Sequence, residues 1–207
     1  PLNRRRRERG QVPLNALVCQ RAGRLEPVPP FAARWGLRGL TIASGFMYHG
    51  LGHFLGMAVA PCRDTDDPGT DLAARLRSAM DRLDDYDLIH VHTKAPDVAA
   101  HTKDPRAKVR AIESLDCGLA SMLDDLLARE DCFLAVTADH STPSGGPLIH
   151  SGEPVPLGVV GPGIRCDDIT RFDEIAAAGG ALGQVTGADF MYLTLNWLDR
   201  VKLMGLM

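Results

Sequence analysis

The sequence predicts an α/β fold, in which a mainly parallel sheet is covered by helices on both faces. Two observations lead to this prediction. Along the chain, short apolar stretches alternate with longer segments of helical periodicity. The short stretches are also apolar without interruption, as expected for strands that are buried on both faces of a parallel sheet.

Each short apolar stretch is predicted to be a strand because it contains β-branched or aromatic residues and ends near turn-forming residues. The predicted strands are residues 39–43 (GLTIA), 88–92 (LIHVH), 132–137 (CFLAVT) and 157–160 (LGVV). Between them, apolar residues recur at helical spacing. The predicted helices are a short one within residues 44–57, then 71–83, 105–129 and 188–201, and residues 61–69 are predicted to form an acidic loop. This order is that of parallel strands joined by helices.

The composition is that of an ordinary globular protein. With 207 residues, 45% of them hydrophobic, the chain is long enough for one well-buried domain. A formal net charge of -3 argues against nucleic acid as a partner, since a phosphate backbone calls for a basic surface. No uninterrupted apolar stretch is long enough to suggest a membrane span. The five cysteines form no CxxC pair, so we expect reduced thiols in a cytoplasmic protein.

Candidate metal ligands follow the predicted strands, where parallel sheets gather their functional groups. Asp97 and His101 come after the strand at 88–92 and are four residues apart, so one helical turn would place them on the same face. Asp139 and His140 come directly after the strand at 132–137, and His150 precedes the strand at 157–160. Each pattern alone is common on protein surfaces. Their coincidence at the strand ends predicts a divalent-metal site.

The donor types narrow the choice of metal ion. Carboxylate oxygen mixed with imidazole nitrogen suits Mn²⁺, Zn²⁺ or Fe²⁺, whereas purely oxygen sites prefer Mg²⁺ or Ca²⁺. If strand geometry continues past the strand, the adjacent Asp139 and His140 side chains diverge and can serve two neighbouring ions. His150 can complete either site.

Two cations are candidates for holding a substrate phosphate, and no nucleophile is identified. Lys94 stands closest in sequence to the candidate ligands, and Arg21 is a second candidate; for both, the alternative is a solvated side chain. The sequence has no P-loop and no G-x-S-x-G turn. Ser141 and Thr142 follow the Asp-His pair, but no motif marks either of them as an attacking group.

At these residues the chain resembles the cofactor-independent phosphoglycerate mutases of the alkaline phosphatase superfamily, most closely their archaeal-type branch. The resemblance is carried by residues 90–116 (HVHTKAPDVAAHTKDPRAKVRAIESLD), 137–157 (TADHSTPSGGPLIHSGEPVPL) and 171–191 (RFDEIAAAGGALGQVTGADFM). It extends over most of the chain from about residue 16 onward, and the stretch from DHSTP to HSGEPVP is quite specific.

The resemblance implies a site for two divalent ions. By the family pattern, Asp97, His101 and His150 would bind one ion, and Asp139 and His140 would join the second. Mn²⁺ is the expected metal, with Mg²⁺, Zn²⁺ and Co²⁺ as alternatives. The remaining aspartate ligand and the phosphate-accepting serine belong to the family's N-terminal half, which nothing in this sequence matches.

The implied function is interconversion of 3-phosphoglycerate and 2-phosphoglycerate in cytoplasmic glycolysis. Because family members are roughly twice as long, we expect an incomplete alkaline-phosphatase-like fold. Residues 1–30 would be a linker or the end of a cap domain, and residues 31–207 would be the C-terminal part of the metal-binding domain. The chain alone is expected to be inactive and to expose apolar surface.

Three alternatives remain open. Histidine stands where the family is expected to carry lysine around His49, and Gln184 replaces a basic residue. Another phosphate- or sulfate-ester hydrolase of the superfamily would share the metal ligands and differ in such substrate contacts. A non-catalytic remnant would bind metal only. A structural protein without metal predicts that the five candidate ligands do not converge.

Overall fold

The computed structural model describes residues 2–16, 18 and 23–201. Helices and strands alternate through most of this part of the chain. In chain order the elements are α1 (Leu2–Glu8), α2 (Phe31–Trp35), β1 (Gly39–Ala43), α3 (Phe46–Phe54), β2 (Ala58–Pro61), α4 (Pro68–Met80), β3 (Leu88–Val91), α5 (Ala95–His101), α6 (Pro105–Leu127), β4 (Leu134–Val136), β5 (Gly158–Val160), α7 (Glu174–Ala177) and α8 (Gly187–Trp197).

The centre of the fold is a three-stranded parallel sheet in the order β2-β1-β3. Leu40 of β1 is in register with Ala58 of β2 and with Ile89 of β3. All five residues of β1 are buried, as its uninterrupted apolar sequence predicts for a central strand. The predicted α/β fold class with a mainly parallel sheet is confirmed.

Helices cover both faces of this sheet, and alternate residues of β1 show which helix lies on which face. Leu40 and Ile42 form a core cluster with Ala79 of α4. The intervening Thr41 points the other way, towards Gly52 of α3, where an added Cβ would lie 2.7 Å from the Thr41 methyl group. Glycine at position 52 therefore allows α3 to approach the sheet closely.

The long helix α6 packs against α4 through a pair of glycines. A Cβ added to Gly118 would overlap the backbone of Gly69, and one added to Gly69 would overlap the backbone of Ser114. The Ser114 hydroxyl also accepts a hydrogen bond from the Gly69 amide, at 2.9 Å. The first turn of α4 is thereby fixed against the middle of α6.

Two predicted strands differ from the structure in length and pairing. The strands predicted at 132–137 and 157–160 are shortened to β4 and β5, which pair antiparallel with Leu134 opposite Val160. Among the residues that the structure describes, this pair forms a sheet separate from the parallel one. A continuous apolar run indicates burial but does not specify the strand beside which it will lie.

Some short elements were not predicted. The edge strand β2 has the sequence AVAP, in which two alanines weaken the β-strand pattern and the terminal proline is tolerated at an edge. The helix predicted at 71–83 is present as α4 but is shifted towards the N-terminus. It begins at Pro68, inside the predicted acidic loop, because Asp67 caps it by accepting a hydrogen bond from the Thr70 amide. The short helices α2 and α7 also lack a sustained periodic pattern.

No helix in the described ranges combines the length and the apolar composition that crossing a bilayer requires. Four cysteines lie in these ranges and all are free thiols: Cys62, Cys117, Cys132 and Cys166.

The Asp87 carboxylate, directly before β3, contacts two arginines, Arg38 and Arg200. The Asp87 side chain accepts a hydrogen bond from the Arg38 amide at 2.7 Å and forms an ion pair with Arg200 at 3.0 Å. This side chain is only 10% exposed. Hydrogen bonding from the Arg38 side chain is the main cause that lowers the pKa of Asp87 to about 2.

Because the pKa of Asp87 is lower in the folded state than in the unfolded state, the unfolded chain binds more protons as the pH falls from about 4 to 2. Asp87 should therefore contribute about 2 kcal/mol at neutral pH, and this contribution should be lost over that interval. Urea unfolding at pH 7 and pH 2.5 should show a smaller difference for Asp87→Asn than for wild type. The exposed Asp66→Asn should behave like wild type, and equal pH dependence in Asp87→Asn would contradict the assignment.

Candidate metal centre

The candidate centre lies just beyond the carboxyl end of β3. After β3 the chain turns at Thr93 and enters the short helix α5, which carries both Asp97 and His101. Their spacing of one helical turn brings His101 Nε2 to 3.2 Å from Asp97 Oδ1. The predicted pairing of these two side chains on one helix face is confirmed.

His150 reaches the same place from the loop between β4 and β5. An isolated antiparallel bridge joins Ser141 to Ser151, with the Ser151 amide donating to the Ser141 carbonyl at 3.1 Å. This bridge brings the rings of His140 and His150 together, with centroids 4.0 Å apart. His150 Nε2 then lies 3.6 Å from Asp97 Oδ1.

Asp97, His101 and His150 together meet the geometric requirements of a cation site. Their ligand atoms all lie within 4.8 Å of one another. Two atoms that bind one ion at about 2.0–2.2 Å are themselves separated by roughly 3–3.6 Å. The distances from Asp97 Oδ1 to His101 Nε2 and to His150 Nε2, 3.2 Å and 3.6 Å, lie in this range. One carboxylate and two imidazoles suit a transition-metal divalent cation.

The Asp97 carboxylate is prepared to act as an anionic ligand. Burial opposes its ionisation, but the hydrogen bond from Thr142 and the nearby positive groups His101 and Lys94 outweigh burial, so the pKa of Asp97 is lower than usual. The side chain is 18% exposed, while His101 and His150 are 37% and 47% exposed, which leaves the ligand atoms accessible from solvent.

Asp139 and His140 converge, and this corrects the prediction that their side chains would diverge. His140 Nε2 lies 3.5 Å from Asp139 Oδ2, and the His140 amide donates to Asp139 Oδ1 at 3.0 Å. The prediction assumed that strand geometry continues, whereas β4 ends at Val136. A carboxylate and an imidazole at this separation suit one shared ion better than one ion each.

Thr142 connects the two groups of candidate ligands. Its side-chain hydroxyl donates a 2.9 Å hydrogen bond to Asp97 Oδ1, and the same oxygen lies 3.2 Å from His140 Nδ1. Thr142 is only 5% exposed. The sequence presents Thr142 only as a possible attacking group. Its position two residues after His140 is the signal in the sequence that points to a supporting role.

Two lysines fasten the loop that carries Thr142 and leads to His150. Lys103 Nζ donates to the Pro143 carbonyl at 2.9 Å, and Lys108 Nζ donates to the Thr142 carbonyl at 2.8 Å. Lys103 lies between α5 and α6, and Lys108 lies near the start of α6. The loop is therefore attached to residues that directly follow the helix carrying Asp97.

Of the two candidate phosphate-binding residues, the structure describes only Lys94. Lys94 lies at the start of α5, with Nζ 3.4 Å from Asp97 Oδ2 and a side chain that is 42% exposed. It therefore borders the ligand group and remains accessible. Arg21 lies outside the described residues.

The remaining histidines near the sheet have other contacts. His90 Nδ1 is 2.8 Å from the Thr41 hydroxyl, and His49 Nε2 is 2.8 Å from the Ala43 carbonyl. The ring of His92 stacks on Tyr48, with centroids 3.7 Å apart. Burial is the main cause that lowers the pKa of His92 to about 4, so its ring is neutral at pH 7.

A buried arginine ties the ends of the parallel strands together. The Arg75 side chain of α4 is 3% exposed and forms an ion pair with Asp64. It also donates to the His92 carbonyl at 2.6 Å and to the Arg63 carbonyl at 3.2 Å. Asp64 in turn accepts a 2.6 Å hydrogen bond from Ser44, directly after β1. The network links the ends of β1, β2 and β3, and no pattern in the sequence indicates it.

Comparison with protein families gives a match to the metalloenzyme superfamily over residues 1–197. The chain is 41% identical over 205 residues to 2,3-bisphosphoglycerate-independent phosphoglycerate mutase 2 of Methanocaldococcus jannaschii, covering 99% of this chain and 45% of that protein. It is 36% identical over 206 residues to the 2,3-bisphosphoglycerate-independent phosphoglycerate mutase of Methanopyrus kandleri, covering 99% of this chain and 49% of that protein. The chain therefore spans about half the length of these curated relatives.

Two solved structures have a similar fold. The PH0037 protein of Pyrococcus horikoshii superimposes with a TM-score of 0.77 at 31% identity, over 86% of this chain and 54% of that one. Cofactor-independent phosphoglycerate mutase of Thermoplasma acidophilum superimposes with a TM-score of 0.64 at 19% identity, over 95% of this chain and 46% of that one, which shows likeness of fold alone. The sequence relatives confirm the resemblance to the archaeal-type mutases, and the two solved structures show a similar fold.

Proposed function

The chain belongs to the metalloenzyme superfamily, and on that premise we propose that it carries the metal centre of a phosphoglycerate mutase that interconverts 3-phosphoglycerate and 2-phosphoglycerate. The observation that carries this proposal is the convergence of Asp97, His101 and His150, whose ligand atoms lie within 4.8 Å of one another. The sequence relatives, which are phosphoglycerate mutases, supply the substrate class.

We assign two divalent ions to the centre. Asp97, His101 and His150 would hold one, and Asp139 and His140 would contribute to the other. Mn²⁺ is the proposed metal, and Mg²⁺, Zn²⁺ and Co²⁺ are alternatives. Donors that mix carboxylate oxygen with imidazole nitrogen are compatible with Mn²⁺ and with Zn²⁺. When bound, such ions supply positive charge to phosphoryl oxygens and lower the pKa of a hydroxyl nucleophile.

The protein's own groups would position the substrate around these ions. Lys94 has three N–H donors and is in part exposed beside Asp97, so it can hold a phosphoryl oxygen while keeping its ion pair. Arg21 is proposed as a second phosphate contact on sequence grounds. The serine that accepts the phosphoryl group is expected from a part of the protein outside these 207 residues.

The proposed setting is cytoplasmic glycolysis. The free thiols of the four described cysteines agree with a reducing compartment. A small phosphorylated sugar acid is the proposed substrate, and it would reach the ligands through their exposed side.

The test is a ³¹P NMR assay of the full-length natural protein with 3-phosphoglycerate. We expect the 2-phosphoglycerate signal to grow, to stop growing when a chelator removes the metal, and to resume when Mn²⁺ is added back. Release of inorganic phosphate without 2-phosphoglycerate would contradict the mutase and indicate a hydrolase of the same superfamily. Turnover that survives complete metal removal would contradict the metal centre.

A further inference from the structure

The Thr142 hydroxyl contacts a candidate ligand of each proposed ion. It donates to Asp97 Oδ1 at 2.9 Å, and its oxygen lies 3.2 Å from His140 Nδ1. Asp97 belongs to α5, whereas His140 follows β4, so one buried hydroxyl joins two separate parts of the chain. None of the ligand roles proposed above uses this residue.

The number of protons fixes the direction of both hydrogen bonds. A hydroxyl group has one proton to donate, and an ionised carboxylate can only accept. The Thr142 proton therefore goes to Asp97, and the second contact requires His140 Nδ1–H to donate to the Thr142 oxygen. In a neutral imidazole this leaves the lone pair on Nε2, the atom that lies 3.5 Å from Asp139 Oδ2.

We propose that Thr142 is a positioning residue shared by the two metal sites: its hydroxyl orients Asp97 for one ion and holds His140 in the Nδ1–H form for the other. This inference rests on the proposed metal centre. Partners of metal ligands commonly fix the tautomer and the ring orientation of a histidine in this way, and their loss typically lowers metal affinity by about 10–100-fold.

The surroundings keep the hydroxyl in place. Thr142 is 5% exposed, so solvent does not compete for its hydrogen bonds. Its carbonyl accepts a 2.8 Å hydrogen bond from Lys108, and the neighbouring Ser141 is bridged to Ser151. Since the backbone is anchored on both sides, the hydroxyl has little freedom to leave either partner.

The binding experiment compares Thr142→Val, Thr142→Ser and Thr194→Val in calorimetric titrations of the full-length protein with Mn²⁺. Valine keeps the shape of threonine without the hydroxyl, so we expect Thr142→Val to weaken both ions by about 10–100-fold. Serine keeps the hydroxyl and should remain close to wild type. Thr194 is a matched control: it is 2% exposed, and its hydroxyl donates to the Phe190 carbonyl within α8. Thr194→Val should leave Mn²⁺ affinity unchanged.

A spectroscopic measurement tests the proton direction without any metal. The ¹⁵N shifts of the His140 ring in metal-free protein should report the Nδ1–H tautomer in wild type and in Thr142→Ser. In Thr142→Val the population should move towards the Nε2–H tautomer, because the acceptor is gone. An Nε2–H tautomer in wild type would overturn the inference, and this wild-type readout remains decisive even if Thr142→Val does not fold.

The outcomes separate this inference from the proposed function. If wild type binds no Mn²⁺, the metal centre is wrong and the role of Thr142 is wrong with it. If wild type binds Mn²⁺ and Thr142→Val binds it with the same affinity, only the role of Thr142 is overturned. An equal loss in Thr194→Val would also overturn that role, because the effect would then be general destabilisation.

Discussion

Replacing Asp97 and His101 together by alanine is expected to abolish metal binding at the site that these residues share with His150. The double variant removes two of three ligand groups, including the carboxylate whose oxygen lies 3.2 Å and 3.6 Å from the two imidazoles. We expect Mn²⁺ affinity to fall by more than the roughly 10–100-fold that loss of an outer partner costs. The proposed mutase activity of the full-length protein should fall below detection. Equilibrium dialysis with Mn²⁺, followed by elemental analysis, measures the affinity.

A matched double variant controls for the loss of one carboxylate and one imidazole. Asp125 and His53 are both exposed, on α6 and α3, and neither belongs to the three-ligand group. The Asp125→Ala, His53→Ala variant should bind Mn²⁺ like wild type. Equal affinities in the two double variants would mean that Asp97 and His101 do not hold the ion.

Of the substitutions proposed for this protein, replacing Arg75 by methionine is expected to lower the free energy of unfolding the most. Methionine preserves much of the buried volume but removes the ion pair to Asp64 and leaves the carbonyls of Arg63 and His92 without their donor. Because Asp64 is 53% exposed and can be resolvated, we expect a loss of about 3 kcal/mol, at the lower end of the range for breaking a buried ion pair. Urea unfolding at pH 7 measures the loss.

Arg82→Met is the control for this substitution. Arg82 is half-buried, and its side-chain hydrogen bonds go to Ser78, one turn back in the same segment. Since no separate strand ends depend on it, its replacement should cost below about 1 kcal/mol. A loss for Arg75→Met no larger than that for Arg82→Met would show that the network does not tie the strand ends together.

Much of the fold could be predicted because local pattern and tertiary role agree. The strand GLTIA was predicted with its observed bounds, since five residues without a charge match a fully buried central strand. Helix α6 was predicted to within a few residues from its apolar stripe and from Pro105 in its first turn. The antiparallel pairing of β4 with β5 could not be predicted, because it depends on which edge the chain meets in three dimensions.

In the candidate centre too, local contacts could be predicted from the sequence and long-range contacts could not. The Asp97–His101 pair follows from helical spacing, which is a local property. The arrival of His150 depends on the bridge between Ser141 and Ser151, and no periodicity in the sequence indicates it. The contact between Thr142 and Asp97 joins residues 45 positions apart and likewise arises only from the folded chain.

The central claim is that these residues hold divalent ions, and anomalous diffraction from crystals of the full-length protein soaked in Mn²⁺ tests it most directly. We expect one anomalous peak in contact with Asp97, His101 and His150, and a second in contact with Asp139 and His140, each at about 2.0–2.3 Å from its ligand atoms. Anomalous peaks only at other surface carboxylates, or none at full Mn²⁺ loading, would contradict the account.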